Sequence, residues 1–84
     1  MNKETLIEFM DKALKENKSI AVEITIPGCE SPEIIINPPE NIAFKKNYYL
    51  TAYNDKLEHN YNKDIKITNI SILNTSMKGV TENE

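Results

Sequence analysis

Arginine is missing from this chain: all ten basic residues are lysine, and against thirteen carboxylates they leave a formal net charge of −3 at pH 7. Specific readers of nucleic acid rely on the rigid arginine fork to grip guanine edges and phosphates, so direct DNA or RNA recognition is not expected. Tryptophan is absent too, and the two glycines, Gly28 and Gly79, cannot build a glycine-rich phosphate loop. Cys29 is the single cysteine. It permits no intramolecular disulfide and gives no support to secretion. No apolar run approaches the roughly 20 residues of a membrane span. Met1 to Asn17 alternates charged and apolar residues where a signal peptide needs an unbroken apolar run. The expectation is a cytoplasmic protein without a membrane partner.

Isoleucine is the dominant apolar residue, which suits a sheet faced by aliphatic side chains. The 84 residues make one small domain, expected over residues 1–73, with a flexible polar tail over 74–84 and a short added strand at about 77–80. A domain of this size buries only about 60% of its unfolded surface, so a homo-oligomer is an expected supplement to its stability.

Asn2 reads as the cap of a helix over Lys3 to Glu16, with Leu6, Phe9, Met10, Ala13 and Leu14 on one stripe and Asn17 as a left-handed stop. From Ile20 the period changes to two. Ile20, Val22, Ile24 and Ile26 point to one face; Ala21, Glu23 and Thr25 point to the other. Pro27-Gly28 fits the centre of a type II turn, and Glu33 to Asn37 reads as a second strand closing an antiparallel hairpin. Its Ile34 and Ile36 are assigned to one face, and Ile35 to the open face with Glu23.

Asn37-Pro38-Pro39-Glu40 ends that strand and opens a long helix at Pro39, the side chain of Asn37 closing the turn. At about 100° per residue, Ile42, Tyr49, Leu50, Tyr53 and Leu57 form its core stripe. Phe44 and Tyr48 lie one turn apart on a different face. After a polar loop over Glu58 to Asp64, Ile65 to Leu73 forms a third strand whose alternation slips. Ile65 and Ile67 share one phase and Ile70 and Ile72 the other, which predicts a β-bulge near Thr68-Asn69 or a strand buried on different faces at its two ends. The order α-β-β-α-β predicts an α+β fold: a three-stranded antiparallel sheet in the order 2-1-3, with two helices on one face.

Cys29 and His59 are the one nucleophile–base pair of familiar type, with Asp55 or Glu58 available to orient the imidazole. No catalytic signature surrounds them, and an incidental thiol and surface histidine account for both. One cysteine and one histidine do not supply the usual zinc pattern, and Asp55, Glu58 and His59, close in sequence, could hold a divalent ion only weakly. A non-enzymatic protein with no cofactor and no metal is expected. The candidate binding residues are Phe44, Tyr48, Lys45, Lys46 and Tyr49. Aromatics outside a core stripe suit a protein interface. Tyrosine interleaved with lysine also suits a small anionic ligand, whose base stacks while ammonium groups meet phosphate.

The run Pro27-Gly28, Pro32-Glu33-Ile34-Ile35-Ile36-Asn37-Pro38 and Glu40-Asn41-Ile42, followed by Tyr48-Tyr49 and Ala52-Tyr53-Asn54, resembles small uncharacterised proteins encoded by phages and prophages of low-GC Gram-positive bacteria. The resemblance spans roughly residues 1–73 and contains no catalytic motif. It implies a viral accessory protein acting in the host cytoplasm, of the kind that binds and inhibits a host defence or replication macromolecule. Some such proteins instead act as oligomeric sponges for a nucleotide signal, and a virion component is a third expectation.

Overall fold

Residue 2 starts the first helix in the computed structural model, which describes residues 1–74. The Asn2 side chain accepts a hydrogen bond from the Thr5 amide at 2.9 Å and so caps α1 (Lys3–Glu16). Asn17 then stops the helix in the left-handed conformation, at φ 56°. Its amide donates to the carbonyls of Ala13 and Leu14, which would otherwise be left open. Leu6, Met10 and Ala13 are buried, Phe9 packs partly against them, and Leu14 stays exposed at the edge of the stripe.

β1 (Ile20–Thr25) and β2 (Glu33–Asn37) form the expected antiparallel hairpin. At its turn the Cys29 amide donates to the Ile26 carbonyl at 3.1 Å, and Gly28 takes φ 85°, the positive value that a type II turn requires. β3 (Lys66–Ile72) pairs with the other side of β1, so the sheet order is β2-β1-β3 and every pairing is antiparallel. With α2 (Pro39–Ala52), this is an α+β fold.

The register decides which isoleucines enter the core. Val22 pairs with Ile35, while Glu23 pairs with Ile34 and Ala21 with Ile36. Directly opposed residues share a face, so Ile35 lies on the same face as Val22 and packs against the core, and Ile34 and Ile36 face outward. This reverses the assignment expected from sequence. Three consecutive isoleucines have no period of their own, and only the pairing with β1 sets their phase.

In β3 the bulge is present. The register with β1 shifts between Glu23 and Ile24, leaving Thr68 as the extra residue between Asn69, opposite Glu23, and Ile67, opposite Ile24. Ile67 and Ile70 are both buried as a result, on the face of Val22 and Ile24. The slipped alternation thus corresponds to one buried face restored by one inserted residue, and not to burial on opposite faces. Thr68 donates from its hydroxyl to the Glu23 carboxylate at 3.1 Å across the bulge.

α2 is shorter than its apolar spacing predicts. It ends at Ala52, and Tyr53 is extended and bridges to His59. Asn54 is the cause: its Oδ1 accepts from the amides of Lys56 and Glu58 at 2.9 and 3.0 Å, and its Nδ2 donates to the Glu58 carboxylate at 3.1 Å. A side chain that satisfies two backbone donors locally competes directly with helix continuation. Tyr53 and Leu57 still reach the core, from the turn instead of the helix, with Leu57 at φ 62°. Leu50, expected on the core stripe, is exposed. The Asn37 side chain is buried and caps nothing; α2 begins behind Pro38 with no side-chain cap. The expected tail strand lies outside the described residues.

One cluster gathers the buried side chains of every layer: Leu6, Met10 and Ala13 from α1, Ile42 and Tyr49 from α2, alternate residues of β1, Ile67 and Ile70 from β3, and Tyr53 and Leu57 from the turn. The buried Ser19 Oγ has no hydrogen-bond partner among the described residues, while Asn37 Nδ2 and the Tyr49 hydroxyl, both buried, have only each other, in poor geometry. A buried group left unpaired costs roughly 1–3 kcal/mol, so at Tyr49 the packed ring, more than the hydroxyl, stabilises the fold.

Candidate aromatic interface

The side of α2 away from the core carries the largest exposed rings of the helix. Ile42 and Tyr49 are seven residues apart and face inward. At 100° per residue Phe44 points nearly opposite to Ile42, and Tyr48 lies one turn further on. Phe44 is 75% exposed and Tyr48 43%. With Asn47 and Thr51 they line an open groove of about 440 Å³. The Thr51 hydroxyl donates to the carbonyls of Asn47 and Tyr48, leaving a largely apolar floor between two rings.

The lysines on this helix are already engaged. Lys46 Nζ meets the Asp11 carboxylate at 2.7 Å and ties α2 to α1. Lys45 Nζ lies 5.0 Å from the centre of the Tyr48 ring and 5.3 Å from that of Tyr49, the geometry of a cation held on aromatic faces. Tyr49 itself is buried. Of the five residues singled out from sequence, the structure brings Phe44 and Tyr48 together on one exposed face, with Lys45 at its margin. Lys46 and Tyr49 are turned to internal contacts.

The aromatic contacts run further than the five candidate residues, through the buried Tyr53 to the turn that follows α2. Tyr48 contacts the Tyr53 ring edge-on at 6.4 Å, Tyr53 contacts His59 at 5.1 Å, and His59 contacts Tyr61 at 5.7 Å. Tyr61 is 95% exposed. The link is the bridge between Tyr53 and His59, which folds the supposed polar loop back on the end of α2. The Asn60 amide donates to the Ala52 carbonyl, and the Tyr61 amide donates to His59 Nδ1 at 3.1 Å. The signal for it was Asn54, the same residue that stops the helix.

Burial raises the Tyr53 phenol to about 12, and the neighbouring phenols of Tyr48 and Tyr49 add to the shift. Burial raises Tyr49 as well, with the Asn37 amide opposing and Tyr48 adding. The Glu58 carboxyl is held below its ordinary value mainly by the Asn54 amide, with burial opposing and Lys66, Lys56 and Lys63 assisting. Glu58 is thereby spoken for, and the imidazole of His59 sits between two tyrosines. Cys29 is exposed in the β1–β2 turn. Among the described residues no three His, Cys, Asp or Glu side chains are grouped to hold a metal ion. No helix among them is long and apolar enough to cross a membrane.

A second groove, of about 420 Å³, lies where the start of α1 meets the end of α2, between Ile7, Leu50 and Asp55. Its cation, Lys3, donates to the Leu50 carbonyl at 2.9 Å, and the Lys3 amide to the Asp55 carbonyl at 3.0 Å. These bonds join the start of α1 to the end of α2 and to the turn behind it.

No protein-family model matches the chain, and no curated protein or solved structure matches it either. Fold and surface together define a class: a small α+β domain that exposes Phe44 and Tyr48 on one helix and Tyr61 in the turn behind it.

Proposed function

We propose that the chain is a non-catalytic interaction protein that binds a partner protein through Phe44 and Tyr48. The observation that carries this reading is the three-quarters exposure of Phe44 in the middle of a helix whose other side supplies the core. A large apolar side chain left in water on a folded helix loses its burial free energy unless something covers it. Aromatic rings are the side chains that contribute most at protein interfaces, burying much area at low entropic cost. The resemblance to phage and prophage proteins makes the proposed partner a host macromolecule and inhibition the outcome. The small-ligand alternative has less support here, because Lys46 is neutralised by Asp11 and Tyr49 offers no free face.

A photo-crosslinking amino acid at position 44 is the direct test, in lysate from a low-GC Gram-positive host. One specific protein adduct is expected, and its complex with the wild-type chain should weaken at least about 30-fold when both Phe44 and Tyr48 become alanine. Unchanged affinity in the Phe44→Ala/Tyr48→Ala variant would overturn the assignment. A thermal-shift series with cyclic nucleotides and ADP-ribose derivatives separates the alternative: strong stabilisation by one of them would make the chain a ligand sponge.

A further inference from the structure

Among the described residues β2 is an edge strand, and the one protecting device within it is the charge of Glu33 at its first position. Natural edges are blunted by lysine, by proline within the strand, by bulges or by a covering segment. Glu33 to Asn37 contains no lysine and no proline, and its only bulged neighbour is the β1–β3 pair on the other side of the sheet. Among the described residues, the backbone of 33–37 makes no hydrogen bond beyond its ladder with β1. By contrast, the start of β3 is closed on its outer side, where Ile67 donates to the Leu57 carbonyl and Lys66 bridges to Glu58. On the outward face of β2, Ile34 is 54% exposed and Ile36 38%.

We infer that a second copy of the chain docks on this edge, β2 against β2, antiparallel about a two-fold axis at Ile35, to make a continuous six-stranded sheet. The strand is self-complementary in that register. Ile34 of each copy falls opposite Ile36 of the other, so the outward face gains two isoleucine pairs in place of four exposed side chains. Ile35 meets its own copy on the core face. Pro32 and Pro38 lie three residues either side of Ile35. They oppose each other across the axis, and the residues that lack an N–H therefore end the ladder symmetrically without costing a bond inside it.

Charge favours the same register. The strand's one charged residue, Glu33, faces the neutral Asn37 of the other copy; a parallel pairing in register would set Glu33 against Glu33. Asn37 is buried on the core face, with its amide turned to the Tyr49 hydroxyl of its own chain, so Glu33 of the second copy meets no charge there. Directly opposed side chains on one face stand about 5 Å apart at Cβ. An isologous contact of this kind closes on itself and does not propagate into a fibre. It uses different residues from the Phe44–Tyr48 face, so each reading can fail without the other.

Sedimentation velocity on the full chain, from micromolar to millimolar concentration, should show one chain converting to two. Ile34→Lys alone and Ile36→Glu alone should each weaken the dimer about tenfold or more. Both positions point outward, so circular dichroism and melting at low concentration should match wild type. Mixing the two variants in equal parts should restore a dimer, because the new ammonium at 34 then faces the new carboxylate at 36 while the other pair remains isoleucine. A single-chain species at every concentration overturns the inference. So does a dimer indifferent to both substitutions, or a mixture that fails to recover.

Discussion

Tyr53 shows how one residue's surroundings become a property of the molecule. Its ring is buried between Tyr49, at 5.9 Å, and His59, at 5.1 Å, and its phenol is raised to about 12. A group with a raised folded-state value stabilises the fold fully below its ordinary value of 10.0, and that contribution is lost as pH climbs from there to about 12. Tyr49 moves in the same direction. Stability should therefore fall through this alkaline window by on the order of 2 kcal/mol for Tyr53 alone. Tyr53→Phe, which keeps the ring packing, should flatten the fall. Melting temperatures across the window, read with tyrosinate absorbance, test this; a variant as alkali-sensitive as wild type would show that the phenol is not the cause. Burial of Tyr53 was legible in the sequence from its spacing to Tyr49. Its route to the core was not, because helical periodicity extends past a helix that a local side-chain bond has already stopped. Ile35 was misassigned for the complementary reason: in Ile34-Ile35-Ile36 every position is apolar, and burial could be assigned only after Val22 was known to lie opposite.

Elements here are bounded by short polar side chains, and where those bonds are local the sequence declares them. Asn2 before α1 and Asn17 after it were both readable, as were Gly28 in the hairpin turn and the phase slip at Thr68. The end of α2 was less so, because Asn54 acts on amides two and four residues ahead while apolar residues continue around it. Asn54→Ala removes an acceptor for two backbone donors and should cost roughly 1–3 kcal/mol. The damage should spread along one line: Leu57 donates to the Asn54 carbonyl, and Ile67 donates in turn to the Leu57 carbonyl. Amide exchange at Leu57 and Ile67 should quicken before that in α1. The same variant should let the Glu58 carboxyl titrate closer to its ordinary 4.5. The depressed value gives stability that is present above 4.5 and is lost as pH falls through the folded-state value, so the acid dependence of melting should shrink. Unaltered exchange at Ile67 would mean that the turn is held by something other than Asn54.

Across the whole molecule, α2 serves two surfaces, and the balance between them is what makes a binding role testable. A domain of this length holds roughly 5–10 kcal/mol against unfolding. Ile42 is fully buried in the common cluster, and Ile42→Ala should cost about 2–5 kcal/mol, a large part of that total. Phe44, two residues away on the opposite side of the same helix, should change stability by less than about 0.5 kcal/mol when cut to alanine, because most of its ring is already in water. Denaturant titrations of the two variants should therefore separate widely in midpoint at an unchanged slope. If Phe44→Ala instead falls as far as Ile42→Ala, the ring is part of the packing, and no partner is needed to explain a phenylalanine at that position. If the two separate as expected, any binding lost with Phe44 is a loss at the surface alone.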